Sequence, residues 1–319
     1  MSTVLISQPN FESHVTPDGH PERAERIRAV EAALSQPRFH KLQRRDAVSA
    51  DLTLAELVHS PGYLARLRAL RPAEGIGRID EDTFISSGSL DAVATGIGGA
   101  LMALDAVLLG AADNAFCAIR PPGHHAERDH PMGFCLVNTI AIVAREAQRK
   151  YGADRIAIVD FDVHHGNGTQ DIFQGDPTVF YASSHQMPLY PGTGSPRETG
   201  VGNIVNVALP PDSGGAEMRE AYTQRIVPAL HDFAPDLLLV SAGFDAEYRD
   251  PLAQLNWMPT DFAWITGRLM DFAERRCDNR IISLLEGGYD RAGLAAGVTS
   301  HVAMLQDGQL GPDTEEEVE

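Results

Sequence analysis

Cysteine is scarce in this sequence, and the cysteines that occur form no pattern. Cys117, Cys135 and Cys277 are scattered over 319 residues without CxxC spacing. Three scattered cysteines argue against a disulfide framework and against a zinc site built from thiolates. It favours a reducing compartment.

Basic residues are also in the minority. Acidic side chains outnumber basic ones by 44 to 26, which gives a formal charge of −18. Binding to a phosphate backbone needs stripes of Lys and Arg, so we expect no direct nucleic acid partner. The same charge would attract cationic substrates such as basic peptide tails or polyamines.

Targeting and membrane patterns are missing as well. The first residues lack a basic region followed by an apolar run, so no signal peptide is predicted, and no window approaches the apolar length that crosses a bilayer. We therefore expect a cytoplasmic protein with no membrane partner, and the sequence leaves a homo-oligomer open. Without repeats or breaks in composition, it predicts one domain over residues 1–319, ending in a solvated acidic tail at 310–319.

What the sequence does contain is an alternation of helical and strand patterns. Apolar runs of strand length separate longer amphipathic or apolar segments, which predicts an α/β protein with a mostly parallel sheet covered on both faces. The predicted helices are Pro21 to Leu34, Ser87 to Leu109, Thr139 to Tyr151, Ala216 to Phe233, Asp261 to Arg276 and Asp290 to Leu305. The predicted strands are Phe116 to Ile119, Ile156 to Val159, Thr178 to Tyr181, Ile204 to Ala208, Leu237 to Val240 and Ile281 to Leu285.

Five of these strands run into loops that are rich in glycine and ionisable residues. The loops are Arg120 to His125, Asp160 to Gly168, Ala182 to His185, Ser241 to Asp245 and Glu286 to Asp290. Because the carboxyl ends of parallel strands share one edge of a sheet, where open α/β folds place their sites, we expect these loops to meet. One such loop is weak evidence, but five together predict a functional site.

The loop from Asp160 to Gly168 predicts a metal centre. Asp162 and His164 are two residues apart at the end of a strand, so their side chains point the same way and can reach one ion. A catalytic zinc usually keeps three protein ligands, and Asp245 at another strand end is the predicted third. This ligand set also suits Fe(II) or Co(II). The metal would polarise a substrate carbonyl and lower the pKa of bound water.

Side chains near the predicted metal indicate acid–base chemistry. His124 and His125 follow a stiff Pro-Pro-Gly segment, where a histidine can take a proton from water and return it to a leaving amine. Either one taken singly could instead be a packed or metal-binding histidine. Asp160 and Asn167 are the candidates that fix the tautomers of these imidazoles. Tyr289 follows two glycines and is a candidate donor to a tetrahedral oxyanion.

Several separate motifs occur in the order found in a known family. They are Arg120-Pro121-Pro122-Gly123-His124-His125, Gly133-Phe134-Cys135, Asp160-Phe161-Asp162-Val163-His164-His165-Gly166-Asn167-Gly168, Pro191-Gly192-Thr193-Gly194, Ser241-Ala242-Gly243-Phe244-Asp245 and Glu286-Gly287-Gly288-Tyr289. With these motifs the sequence resembles the zinc-dependent histone deacetylase family, most closely its class II and bacterial histone deacetylase-like amidohydrolase members. Acetylpolyamine amidohydrolases are relatives of the same family. The resemblance covers most of the chain and implies a three-layer α/β/α arginase/deacetylase fold around an eight-stranded, mostly parallel sheet.

The resemblance also implies roles for individual residues. Zinc would be held by the three ligands predicted above. His125 would act as general base and acid, with His124 as its electrostatic partner and Tyr289 as the oxyanion donor.

Further positions follow from the same match. Phe134 and Tyr190 would line an acyl-lysine tunnel, and the carbonyl of Gly133 would accept the substrate amide. Family members carry structural potassium as well. By match, one potassium ion would use Asp160, Asp162, His164, Ser183 and Ser184, and a second would use main-chain oxygens near Phe173, Asp176 and Val179.

Two positions depart from related sequences. Asn167 stands where class I members have an aspartate, so its amide can orient an imidazole without adding a charge. Leu252 stands where polyamine-selective relatives carry a glutamate, which favours acyl-lysine peptides over acetylpolyamines. The predicted function is therefore a metal-dependent amide hydrolase that removes acetyl or acyl groups from lysine side chains or similar amines.

Three alternatives stay open. An acetylpolyamine amidohydrolase differs only in its substrate, and the acidity of the chain would suit a polycation. A binuclear manganese ureohydrolase of the arginase kind shares the fold, but it needs a bridging carboxylate where Gly166 stands. A non-catalytic acyl-group sensor should have lost a metal ligand, the histidine pair or Tyr289, and the chain retains all of them.

Overall fold

A central parallel sheet organises the chain in the computed structural model, which describes residues 1–308. The strands are β1 (Thr3–Ser7), β2 (Gln43–Asp46), β3 (Ile76–Arg78), β4 (Phe84–Ser86), β5 (Asn114–Ala118), β6 (Ile156–Asp160), β7 (Val179–Gln186), β8 (Ile204–Leu209), β9 (Leu237–Ala242) and β10 (Ile281–Leu285). Within the described residues, eight of them form one sheet in the order β2-β1-β5-β10-β9-β6-β7-β8, with every neighbouring pair parallel. β3 and β4 form a small antiparallel hairpin. The predicted acidic tail at 310–319 lies outside the described residues.

Helices cover both faces of this sheet. They are α1 (Glu25–Leu34), α2 (Tyr63–Leu70), α3 (Ser89–Leu108), α4 (Thr139–Tyr151), α5 (Asn167–Phe173), α6 (Gly215–Ala221), α7 (Val227–Phe233), α8 (Pro259–Arg276) and α9 (Arg291–Asp307). A π-helical turn at Tyr222–Ile226 joins α6 to α7, so the segment predicted as one helix is nearly continuous. The predicted helix beginning at Pro21 starts only at Glu25.

The sheet separates two apolar cores. Alternate residues of each strand point to opposite faces, so Ala157 and Val159 of β6 join one core while Ile156 and Ile158 join the other. One core is completed by α1, α6, α7, α8 and α9. The other is completed by α2, α3, α4 and α5. This is the predicted three-layer α/β/α arrangement.

One helix corrects the expectation about apolar length. By length and composition, α3 is long and apolar enough to cross a membrane, contrary to the prediction that no window approaches this length. However, 78% of the relevant window is buried inside the fold. An apolar helix in this setting is typical of a protein core.

The strand pattern alone missed both strands at one end of the sheet. β1 is apolar but short, and β2 has the sequence Gln43-Arg44-Arg45-Asp46, which carries no apolar alternation. β2 is an edge strand held by its backbone pairing with β1. A strand defined by backbone pairing at an edge leaves little signal in side-chain pattern.

Candidate active site

Three ligand-type side chains converge at the carboxyl edge of the sheet. Asp162 and His164 follow β6, and Asp245 follows β9, which is the neighbour of β6. One ligand atom from each lies within 4.8 Å of the other two, and all three residues are buried. His164 Nδ1 is 3.1 Å from Asp162 Oδ1 and 3.1 Å from Asp245 Oδ2. The structure thus brings together the three residues predicted as metal ligands.

Two glycines make this close approach possible. A Cβ atom added to Gly243 would lie 2.1 Å from Asp162 Oδ2, and one added to Gly287 would lie 2.0 Å from Asp245 Oδ2. Because real Cβ atoms do not approach this closely, a side chain at either position would displace a carboxylate. The backbone N–H of Gly287 also donates to Asp162 Oδ2 at 2.8 Å.

Burial makes the two carboxylates a strong binding site for positive charge. Burial, reinforced by the negative Asp162, raises the pKa of Asp245 to about 7. Burial lowers the pKa of His164, because it disfavours the charged imidazolium. The hydrogen bonds to Asp162 and Asp245 outweigh this effect of burial and raise the pKa of His164 to about 10. The imidazolium therefore balances the carboxylates. A metal cation among the three side chains would take over this role and leave the imidazole neutral, as a ligand must be.

The donor set fits a divalent ion. Two carboxylates supply two negative charges, which one divalent cation neutralises, and a neutral imidazole completes the three protein ligands typical of a catalytic zinc site. Oxygen and imidazole nitrogen donors also accommodate Fe(II) and Co(II). The protein thus provides the set of ligand atoms that such an ion needs.

Two histidines beside this cluster each contact a different partner. His124 Nδ1 is 3.0 Å from Asp160 Oδ2, and His125 Nδ1 is 2.7 Å from Asn167 Oδ1. The two rings are adjacent, with centroids 4.0 Å apart. Both histidines therefore turn Nδ1 toward an oxygen, which leaves Nε2 as the nitrogen that faces away from each partner.

The surroundings of the two histidines give them opposite charge states. Burial opposes charge on His124, yet Asp160 and Asp162 outweigh it and raise its pKa to about 10. Burial and the positive charges of His124 and His164 lower the pKa of His125 well below its ordinary value. The negative Asp162 and the hydrogen bond to Asn167 offset this only in part. At neutral pH the pair therefore consists of one imidazolium, His124, and one neutral imidazole, His125.

Glu286 braces the loop that carries these histidines. Its Oε2 accepts from the backbone N–H groups of Gly123, at 2.7 Å, and His124, at 3.2 Å, while Oε1 accepts from Ser241 Oγ at 3.2 Å. Complete burial raises the pKa of Glu286 to about 7. This carboxylate connects the ends of β5, β9 and β10, so it fixes the spacing of three of the converging loops.

Tyr289 lies in the loop after β10, at the same edge of the sheet. Asp250 Oδ2 accepts from the backbone N–H of Tyr289 at 2.6 Å and from that of Asp290 at 3.2 Å. The guanidinium of Arg26 lies 5.0 Å from the centroid of the Tyr289 ring, and this arginine also donates to Gly288 O at 2.7 Å. Burial raises the pKa of the Tyr289 hydroxyl well above its ordinary value, so the phenol stays protonated and can donate.

A pocket of about 220 Å³ opens onto the side chains of His125, His164 and Tyr289. It is lined by Asp82, His125, Gly133, Phe134, His164, Leu189, Tyr190, Leu252 and Tyr289. All four residues predicted to contact substrate are therefore pocket residues. The ring of Phe134 meets the Tyr289 ring edge-on at 5.7 Å between centroids, and that of Tyr190 meets the His125 ring edge-on at 5.3 Å. The apolar wall suits the aliphatic part of an extended side chain.

Four contributors to the site were given no role in the predictions from the sequence. Asp82 lines the pocket from the loop between β3 and β4, and Asp250 anchors the Tyr289 loop. Glu286 braces the histidine loop, and Glu127 accepts from Asn167. Only Glu286 had a usable signal, since it directly follows a buried strand that ends at the site. The other three are single acidic residues in loops, whose position depends on tertiary folding.

The residues assigned to potassium by resemblance fall in two places. The register of β6 and β7 places Asp160 beside Ser183, and both are fully buried. Ser183 and Ser184 were expected in a loop, but β7 continues through both of them to Gln186. The main-chain oxygens of the second set all accept from one atom, Asn203 Nδ2, at 2.8 Å from Phe173 O, 2.9 Å from Asp176 O and 2.7 Å from Val179 O.

Comparison with known proteins places the chain in a family. A family model described as the histone deacetylase domain matches residues 20–305. A probable deacetylase of Archaeoglobus fulgidus is 38% identical over 300 residues, covering 92% of this chain and 83% of the relative. A histone deacetylase-like amidohydrolase of Pseudomonas aeruginosa is 39% identical over 280 residues, covering 86% of this chain and 73% of the relative.

A solved structure agrees with the sequence matches. The crystal structure of the HDA15 HD domain has a TM-score of 0.88 and 30% sequence identity, and the match covers 98% of this chain and 91% of that one. The chain therefore belongs to the histone deacetylase family of deacetylases and amidohydrolases. The predicted family and the predicted α/β fold are confirmed.

Proposed function

We propose that the protein is a metal-dependent hydrolase of linear amides, which removes acetyl or other acyl groups from lysine side chains or similar amines. The observation that carries this proposal is the buried Asp162–His164–Asp245 cluster, which reaches an aromatic-walled pocket through His164 and lies beside one charged and one neutral histidine. The apolar and aromatic lining of the pocket suits an extended alkyl chain, and His164 brings the cluster to this pocket.

The three clustered side chains would hold zinc, with Fe(II) or Co(II) as substitutes. The bound ion supplies Lewis-acid polarisation of the amide carbonyl and makes water more acidic. The two carboxylates and the imidazole fix its position, and Gly243 and Gly287 leave the carboxylates room to do so.

His125 is suited to act as the general base. Its ring is neutral at neutral pH, and its Nδ1 is engaged by Asn167, so Nε2 is free to take the proton of the attacking water. It can then return this proton to the nitrogen of the leaving amine. His124 stays charged beside Asp160 and provides a fixed positive charge next to the developing negative charge.

Tyr289 is suited to stabilise the oxyanion. Its hydroxyl remains protonated, and the hydrogen bonds from its loop to Asp250 hold the backbone in place. A donor aimed at charge that develops only in the transition state lowers the barrier more than it strengthens substrate binding.

Acylated lysine in a peptide or protein is the preferred substrate class. Leu252 presents an apolar side chain to the pocket, where a carboxylate would be needed to recognise a distant ammonium group of a polyamine. Asp82 at the same pocket is half-buried, and its carboxylate can accept from donors on the substrate. Acetylpolyamines are the second candidate, which the net charge of −18 favours.

A binuclear ureohydrolase is not favoured by the loop geometry. Such an enzyme needs a further bridging carboxylate at position 166. A Cβ atom on Gly166 would lie 2.4 Å from Asp160 Oδ2 and 2.5 Å from the Tyr181 hydroxyl, so no side chain fits there. For the first potassium site, the burial of Asp160 and Ser183 side by side supports a structural ion, which stays a prediction.

Kinetics with parallel substrates test the proposal. We expect turnover of a fluorogenic acetyl-lysine amide, abolished by a chelator and restored by zinc, with one catalytic divalent ion per chain in elemental analysis. We expect a higher kcat/KM for an acetyl-lysine peptide than for N-acetylputrescine or acetylspermidine. Activity that survives complete removal of metal would contradict the proposed chemistry, and the reverse substrate order would favour the polyamine alternative.

A further inference from the structure

The amide of Asn167 could present either its oxygen or its nitrogen to His125, and only one choice supports catalysis. In the structure Oδ1 faces His125 Nδ1 at 2.7 Å, so Nδ1 carries the proton and Nε2 keeps its lone pair. With the amide reversed, Nδ2 would donate to Nδ1 and the ring proton would move to Nε2. His125 could not then accept a proton at Nε2.

Glu127 decides between these two orientations. Its Oε1 accepts from Asn167 Nδ2 at 2.7 Å. An ionised carboxylate has no proton to donate, so it can face only the nitrogen of the amide. Two weaker acceptors lie near the same nitrogen, His125 O at 3.4 Å and Met132 Sδ at 3.3 Å. The hydrogen bond to the charged group is the strongest of the three.

We propose that Glu127 is a positioning residue, which acts through Asn167 to set the tautomer of His125. The proposal rests on the function proposed above. It also gives a physical reason for the asparagine at position 167. The negative charge sits on Glu127, which contacts Asn167 and not the His125 ring. It therefore fixes the orientation of the amide without contacting the imidazole.

The backbone of Glu127 is held independently of its side chain. Its N–H donates to His130 O at 2.9 Å, and its carbonyl accepts from His59 Nδ1 at 2.8 Å. A change confined to the carboxylate therefore leaves the loop in place. Asp129 offers a matched control, because it is an exposed acidic residue of the same loop that pairs with Arg66.

Kinetics of Glu127→Gln provide the first test. The glutamine amide has a donor as well as an acceptor, so it no longer enforces one orientation of Asn167. We expect kcat to fall about tenfold, since a charge-assisted hydrogen bond is replaced by a neutral and ambiguous one, with KM and thermal stability little changed. Asp129→Asn should keep the wild-type kcat. An unchanged kcat in Glu127→Gln would overturn the proposal.

A double-mutant cycle separates positioning from general disruption. Asn167→Asp alone places a second carboxylate next to Glu127, so the two repel. Adding Glu127→Gln lets the glutamine donate to the new aspartate, whose other oxygen still accepts from His125. We expect the double variant to be about tenfold more active than Asn167→Asp, by the same difference in hydrogen-bond strength. Strictly additive losses would overturn the proposal.

Nitrogen-15 NMR of the zinc-loaded protein tests the tautomer without relying on turnover. The His125 resonances can be assigned by comparison with His125→Gln. We expect the Nδ1-protonated form in the wild type and a mixture of tautomers in Glu127→Gln. Identical tautomers in both would overturn the role of Glu127. Absence of turnover in the wild type would instead refute the proposed function, so the two failures are distinguishable.

An independent observation concerns the place assigned by resemblance to a second potassium ion. One nitrogen, Asn203 Nδ2, lies 2.7 to 2.9 Å from all three main-chain oxygens of that set. Asn203 is 4% exposed, and its Oδ1 accepts from Val201 N–H at 3.2 Å. The amide nitrogen therefore stands where those oxygens converge, and its orientation is fixed from the other side.

We infer that Asn203 takes the place of a cation at this position and that this chain binds no second potassium ion there. The nitrogen supplies its two protons to oxygens that would otherwise face a monovalent ion. Through these contacts the residue before β8 ties the end of α5 to the start of β7. Nearby, Arg145 already balances the Asp176 carboxylate at 2.7 Å.

Thallium binding and thermal stability test whether the Asn203 amide replaces a cation. Crystals of the wild type soaked in thallium, a monovalent ion with a strong anomalous signal, should show no peak among the three oxygens. Asn203→Ala should gain thermal stability in potassium chloride over choline chloride, beyond the gain of the wild type. Asn206→Ala, which removes another buried asparagine, should not. A thallium peak in the wild type, or no potassium-specific gain in Asn203→Ala, would overturn the inference.

Discussion

Replacing Tyr289 with phenylalanine removes one hydroxyl group and leaves the rest of the site in place. The ring keeps its edge-on contact with Phe134 and its position beside the guanidinium of Arg26. The loop is held by backbone N–H groups that donate to Asp250, and these contacts do not involve the hydroxyl. The substitution therefore tests one donor in an unchanged frame.

The size of the effect follows from the proposed role. Loss of a single oxyanion donor costs about 10²- to 10³-fold in kcat, or roughly 2.7 to 4 kcal/mol of transition-state stabilisation. Because this donor acts on charge that is absent from the ground state, KM should change little. Zinc content should also stay at the wild-type level, since the ligands are elsewhere.

The assay is steady-state turnover of a fluorogenic acetyl-lysine amide, with zinc content and thermal stability measured on the same samples. Tyr248→Phe is the matched control, because Tyr248 is an exposed tyrosine that follows Asp245 by three residues and is not a pocket residue. We expect it to behave as the wild type. Wild-type kcat in Tyr289→Phe would refute the oxyanion role, and a comparable loss in Tyr248→Phe would show that the loss is not specific.

Three further predictions follow from other parts of the structure. Asp245→Ala should lose zinc in elemental analysis while Asp271→Ala, an exposed residue of α8, keeps it; full zinc occupancy in the first variant would exclude Asp245 as an essential ligand. Burial lowers the pKa of His301 to about 3, so only the unfolded chain takes up this proton as the pH falls from about 6.5 toward 3, and stability is lost over that range. In His301→Gln the slope of unfolding free energy against pH should shrink by about 1.4 kcal/mol per pH unit between these values, and identical slopes would contradict this. Leu252→Glu should raise the ratio of kcat/KM for acetylspermidine to kcat/KM for an acetyl-lysine peptide about fivefold, because the new carboxylate can form an ion pair of about 1 kcal/mol with the polyamine. An unchanged ratio would show that residue 252 does not select the substrate.

The strand ends could be predicted because buried parallel strands have a strong sequence signal. Two examples are the mainly apolar runs Ile156 to Val159 and Ile281 to Leu285, which are too apolar for a surface strand. Glycine and ionisable residues mark where each run ends. Since all these strands are parallel, the loops that follow them had to meet at one edge. The convergence of Asp162, His164 and Asp245 is a consequence of this geometry.

The remaining parts depend on contacts that the local pattern does not record. Glu127 could not be predicted as a site residue, because its contact is with Asn167, forty residues farther along the chain. Asp250 matters because it meets the backbone of Tyr289, thirty-nine residues away. Ser183 and Ser184 were expected in a loop because they are polar, yet pairing with β6 and β8 keeps them in a strand. In each case tertiary packing assigns the role, and the residue type alone does not.

The position of β10 also limits when the complete sheet can first form during synthesis. β10 is the last strand of the described chain, yet it lies between β5 and β9 at the middle of the sheet. A nascent polypeptide that has not reached residue 281 therefore has two groups of strands with no hydrogen-bonded link between them. Because ribosomes release the N-terminal part first, both exposed edges must be shielded until this strand inserts. We expect ribosome-bound chains stalled before β10 to be far more sensitive to protease than chains stalled after α9 has emerged.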